Sequence, residues 1–69
     1  MTPASMGIRL AKLRRERGWT QEELAVRARL RRETIGRLEA ATKKTRRPSL
    51  RTLERLAKAF GLPVAELLG

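Results

Sequence analysis

Arginine and lysine are the side chains with chemistry to offer in this sequence. Seventeen cations face seven acids for a net charge of +10. Nine of the cations (Arg27, Arg29, Arg31, Arg32, Arg37, Lys43, Lys44, Arg46 and Arg47) lie between positions 27 and 47, where only Glu33 and Glu39 oppose them. Less than a third of the chain thus carries +7 of the total. Charge at that density attracts polyanions and speeds encounter with them, whereas a merely soluble surface mixes its signs more evenly. Nucleic acid and anionic membrane are both candidate partners. A third reading needs no ligand: thirteen of the cations are arginine, as a GC-rich or thermophilic genome would supply without selection for binding.

The same inventory removes most reaction classes. With no cysteine there is no thiolate and no disulfide, and with no histidine the commonest general base and metal ligand is missing. The seven acids and four lysines form no cluster with catalytic spacing. We therefore assign no catalytic residue, no metal and no cofactor, and expect a binding protein rather than an enzyme. The apolar runs are too short to span a bilayer, and no signal-peptide core precedes a cleavage site. These features predict a cytoplasmic protein without a membrane partner. With no effector domain in the sequence, no small-molecule ligand is expected either.

The charges must be positioned by a small scaffold. A chain of 69 residues allows one domain, near the lower limit for folding without staples. Its apolar residues are mainly leucine and alanine, which favour helices. Residues 1–5 read as a flexible polar leader and 6–69 as the domain. Met6, Leu10 and Leu13 recur at helical spacing, and Gly18 is a natural stop. Thr20-Gln21-Glu22-Glu23 spells a capping box for a second helix, with Leu24, Ala25 and Ala28 inward and Trp19 poised as a hydrophobic staple on Leu24. A third helix starts near Arg31 and ends around Ala40, with Ile35 and Leu38 on its buried side. Residues 41–47 form a basic loop. Ser49 caps a fourth helix bearing Leu50, Leu53, Leu56, Ala57 and Phe60, which Gly61 ends; Pro63 opens a short fifth at its first position. Arg9, Lys12 and Arg17 read as solvated charge, Trp19 as core, and the leucines of the fourth helix as core rather than a zipper.

The segment about 21–40 has the helix-turn-helix pattern, two short helices around a tight turn with long polar side chains on the second. From Met6 to Leu68 the chain resembles the Cro/C1-type (Xre-like) helix-turn-helix family of phage repressors and bacterial regulators. The resemblance is carried by Met6, Gly7, Arg9, Leu10, Leu13 and Arg14, by Gly18-Trp19-Thr20-Gln21-Glu22-Glu23-Leu24-Ala25, and by Thr34-Ile35-Gly36-Arg37-Leu38-Glu39. Arg47-Pro48-Ser49-Leu50 follows, with Leu53, Leu56, Ala57, Gly61 and Pro63. It implies an all-α, compact, five-helix, lambda-repressor-like domain that binds double-stranded DNA as a nucleoid-associated transcriptional regulator, most simply a repressor acting as a homodimer. An antitoxin bound to a protein toxin is the alternative, since the same fold serves that role.

The resemblance also implies residue roles. Arg32, Glu33 and Arg37 fall where the family reads bases. Arg32 or Arg37 could pair with guanine O6 and N7, and Glu33 could accept from cytosine N4 or simply temper the local charge. Gln21 would contact a phosphate and brace the recognition helix, and Arg31, Thr34, Lys43, Lys44, Arg46 and Arg47 would hold other phosphates. Arg14 would pair with Glu39, tying the first helix to the third. Leu62 and Val64, near the junction of the last two helices, resemble the dimer contacts of phage repressors. Two positions depart from the family pattern: Arg29 stands where the turn usually has glycine, and Arg31 where Ser or Thr usually caps the recognition helix. A bound phosphate would offset both. The loop from Ala40 to Arg47 is also two or three residues longer than the family's.

Overall fold

The computed structural model describes residues 2–42 and 44–69. Lys43, expected at a phosphate, lies outside them. Among the described residues there are five helices and no strand: α1 (Pro3–Glu16), α2 (Gln21–Ala28), α3 (Arg32–Glu39), α4 (Leu50–Phe60) and α5 (Val64–Leu68). The expected all-α, five-helix architecture is the one observed.

Local chemistry explains where the helices begin. The Thr20 hydroxyl accepts from the Glu23 amide at 3.1 Å while the Thr20 amide donates to Glu23 Oε1 at 3.0 Å, completing the capping box. Ser49 caps α4 through the Thr52 amide at 3.2 Å. Helix α1 starts three residues before the first periodic apolar residue, so Pro3–Ser5, expected in the leader, form its first turn. The Thr2 hydroxyl caps it, and a proline at the first helical position is pre-set for helix. Pro63 is itself the cap of α5, with extended ψ of 151°, so that helix begins one residue later than expected.

Three helices end in one motif. Gly18 (φ 71°), Arg29 (φ 57°) and Gly61 (φ 70°) each turn left-handed. The next residue in each case donates its amide back five positions: Trp19 to Arg14, Leu30 to Ala25 and Leu62 to Ala57. The motif folds that following apolar side chain onto the core, and Trp19, Leu30 and Leu62 all pack there. Leu62, which the sequence offered as a dimer contact, is thus partly buried against its own core. Val64 packs against the core as well. The large apolar side chains left exposed are Ile8 (71%), Val26 (71%) and Leu50 (64%), on three different helices. Leu50, expected inward, lies at the first position of α4, ahead of the turns that face the core.

Five fully buried side chains, one from each helix, meet at the centre: Leu10, Leu24, Ile35, Leu56 and Leu67. Helix α3 is held between α1 and α2; α2 also packs on α4, and α5 on both α4 and α1. At the α1–α3 crossing, Gly7 presses directly on the carbonyl of Leu38, and a Cβ there would also lie 3.1 Å from the Glu39 carbonyl oxygen. No larger residue fits without moving backbone.

Candidate nucleic-acid interface

Helix α3 is braced from behind at its last residue. Arg14 Nε donates to Glu39 Oε2 at 2.7 Å and Nη2 donates to Oε1 at 3.0 Å, a bidentate pair. The two side chains are only 11% and 7% exposed. Arg14 Nη1 donates to the Trp19 carbonyl at 2.7 Å, and Gln21 Nε2 donates to Glu39 Oε1 at 3.2 Å. One carboxylate thus takes three donors from two other helices. Its hydrogen bonds hold the Arg14 guanidinium above its ordinary pKa, against the opposing effect of burial. The expected Arg14–Glu39 bridge is present, and Gln21 braces α3 through the same carboxylate.

With Ile35 and Leu38 buried, the remaining faces of α3 point outward. Arg31, Arg32, Glu33 and Arg37 are all exposed, and Thr34 is half-buried beside them. Glu33 and Arg37 lie four residues apart, but no ion pair joins them among the described residues. No side chain caps α3 at Arg31, as the departure from the family pattern implied. The Arg29 turn is left-handed, as a glycine there would be.

Thr42, Lys44 and Thr45 of the basic loop are joined by local hydrogen bonds. The Thr42 amide donates to Thr45 Oγ1 at 2.9 Å, the Thr45 amide returns to the Thr42 carbonyl at 3.1 Å, and the Lys44 amide donates to Thr42 Oγ1 at 3.3 Å. The Thr-x-x-Thr spacing was the available signal for this clasp. Between the loop, α3 and the start of α4 lies a cleft of about 380 Å³ lined by Thr34, Arg37, Arg46, Arg47 and Thr52, among others. The structure therefore brings Arg37 together with the loop arginines and Thr34. Lys44 sits exposed on the turn, outside that lining. Arg31 and Arg32 stand at the opposite, N-terminal end of α3.

Several arginines serve the fold instead. Arg9, read as solvated, donates to the carbonyls of Glu66 (2.6 Å) and Leu67 (3.0 Å) at the end of α5. Arg17, read likewise, donates to the Phe60 carbonyl at 2.8 Å and lies 5.5 Å from the ring centroids of both Trp19 and Phe60. Arg55 Nη1 donates to the Arg29 carbonyl at 3.2 Å, just past α2. Cations are favoured at the carbonyl ends of helices, where the backbone dipole is negative. Lys12 is exposed, as expected. Trp19 stacks on Phe60 at 5.3 Å, in keeping with a core role.

Two short helices about a left-handed turn, the second exposed along a cationic edge and anchored from behind, define a helix-turn-helix DNA-binding domain. The helix-turn-helix family matches residues 10–67, and the chain belongs to it, as a Cro/C1-type member. Its class is that of DNA-binding transcription regulators. No curated protein matches the chain. Among solved structures it is similar to the restriction-modification controller protein C.AhdI from Aeromonas hydrophila, at 34% identity over 94% of each chain with a TM-score of 0.81. No helix among the described residues is long and apolar enough to cross a membrane.

Proposed function

We propose that this protein is a sequence-specific regulator of transcription that binds double-stranded DNA through the major groove and performs no catalysis. The observation that carries the reading is the exposed row Arg32, Glu33 and Arg37 on a helix whose opposite face is buried and whose end is fixed by Arg14 and Gln21. In this reading those three side chains meet base edges. Gln21, Arg31, Thr34, Lys44, Arg46 and Arg47, with Lys43, hold phosphates that set the register. Gln21 Nε2 carries a second hydrogen beyond the one given to Glu39, and that hydrogen is the donor to phosphate. A phosphate at the start of α3 also takes up amides that no side chain caps, and it offsets the charge of Arg31.

The protein acts on the nucleoid in the cytoplasm as a homodimer on a pseudo-palindrome, and it represses by occluding a promoter. The likeness to C.AhdI supports restriction-modification genes as its target. The alternative, an antitoxin, predicts that a small toxin co-purifies with the chain.

The test begins with selection of bound DNA from a random pool, then compares two variants on preferred and scrambled duplexes over a salt series. Lys44→Ala should weaken both alike and lower the log–log salt slope by roughly 0.9, one phosphate's share. Arg37→Ala should cost roughly 1–3 kcal/mol on the preferred site and little on scrambled DNA. Equal losses on both duplexes would make Arg37 a phosphate ligand and end the base-reading assignment.

A further inference from the structure

Arg27, Arg29, Arg55 and Lys58 line an open cleft of about 480 Å³ between the C-terminal end of α2 and the second half of α4, together with Ala28 and Ala59. No carboxylate lines it, and none of the four cations has an assigned contact to DNA. The Arg27 guanidinium lies 4.5 Å from the Trp19 ring centroid, and Arg55 is held by the Arg29 carbonyl. Two of the four charges are thus placed before any ligand arrives. The Arg29 and Lys58 side chains have no hydrogen bond or ion pair among the described residues. The carbonyl ends of α2 and α4 oppose an anion with about half a charge each. Four full positive charges outweigh them.

This cleft continues the basic surface beside α3. Thr52 lines the cleft shared with Arg37, Arg46 and Arg47, and Arg55 and Ala59 follow it at three and seven residues along one side of α4. From Thr52 to Lys58 is ~9 Å at 1.5 Å per residue. That is under three nucleotide rises of one DNA strand, ~3.4 Å each. The lining offers cations and two alanines, which suits a chain of oxyanions. A protein segment would also bring apolar side chains, and nothing here would cover them. We propose that the cleft is a second phosphate site, which takes backbone phosphates of the bound duplex beyond the stretch that α3 reads. The proposal rests on the DNA-binding reading above.

Arg29→Gly and Lys58→Gln, combined, test it. The first removes a cation while easing a left-handed backbone, and the second alters an exposed side chain, so the variant folds. Binding is titrated over a salt series on the selected site, either trimmed to the base-read segment or extended by about five base pairs on each flank. On the short duplex the variant should match the wild type. On the long one it should lose about 1.8 in log–log salt slope, two phosphates' share. A second arm titrates inorganic triphosphate and follows the emission of the single tryptophan, Trp19, against which Arg27 lies. A response to triphosphate that the variant lacks, with no effect of duplex length, keeps the phosphate site and makes a free oligophosphate its ligand. No length effect and no triphosphate response overturn the site. If the wild type binds no duplex at all, the DNA reading fails, and the triphosphate arm alone decides the cleft.

Discussion

Glu39 shows how much can hang on one side chain. It is nearly buried, and its charge is matched by Arg14 and by hydrogen bonds from two helices. Arg14→Ala would leave that carboxylate without its cation, and breaking a buried pair in this way costs on the order of 3 kcal/mol. A melting temperature indistinguishable from wild type would refute this. Arg29 is the opposite case, a residue the fold tolerates at a cost. A left-handed backbone costs a non-glycine residue roughly 1–2 kcal/mol, and glycine's greater unfolded-state entropy gives back about 0.5–1. Arg29→Gly should therefore stabilise the domain by up to about 1.5 kcal/mol, measurable by denaturant titration; a destabilised variant would mean that the arginine is not strained there. The sequence displays such residues unevenly. Arg29 in the turn could be seen against the family pattern, as could the Arg14–Glu39 pair. Arg9 could not, because its partner carbonyl lies 57 positions away and a carbonyl leaves no mark in a sequence.

At the scale of elements, helix starts and stops were legible wherever a side chain carries the signal. The capping box before α2, Ser49 before α4, and Gly18 and Gly61 at helix ends all act as read. The start of α1 was missed because Thr2 and Pro3 are capping signals without apolar spacing, and periodicity alone passes over them. The capping box also makes α2 sensitive to acid. Glu23 is held below its ordinary pKa of 4.5, first by the Thr20 amide, then by the Thr20 side chain, with Arg27 adding attraction. A depressed folded pKa means that this contribution is complete above 4.5 and is lost as pH falls through the lower folded value. Glu23→Gln keeps a partner for the Thr20 amide but does not titrate, so its melting temperature should fall less than that of wild type between neutral pH and pH values below 4.5. Equal falls would count against the box. The α1–α3 crossing depends on Gly7, which the sequence offered only as a family match. Gly7→Ala drives a methyl group into the Leu38 carbonyl, and overpacking of this kind typically costs 1–3 kcal/mol. Chemical denaturation would read it; an unchanged midpoint would show that α1 can shift away freely.

For the whole molecule, the net charge of +10 is both the attraction to DNA and a strain on the folded state, since like charges repel in a compact body. Raising salt from low to moderate ionic strength should raise the melting temperature while weakening DNA binding. Two salt responses of the same sign would contradict this. The whole-chain readings divided by kind. Fold and class were legible because patterning and motif order agree across 10–67. The packing of Leu62 was not legible, because only the structure shows that the residue after a left-handed turn is folded inward. The Glu39 junction has a last consequence, in time rather than in energy. It closes only after α1, α2 and α3 have met, across 25 residues of chain between Arg14 and Glu39. Closing that loop costs entropy before the junction can form, so we expect the Arg14–Glu39 contact to form late, with a φ-value near zero. Arg14→Ala should then leave the refolding rate nearly unchanged and speed unfolding roughly a hundredfold. On this expectation, how long each folded molecule persists is governed by a carboxylate on the inner face of α3, away from the exposed Arg31, Arg32 and Arg37.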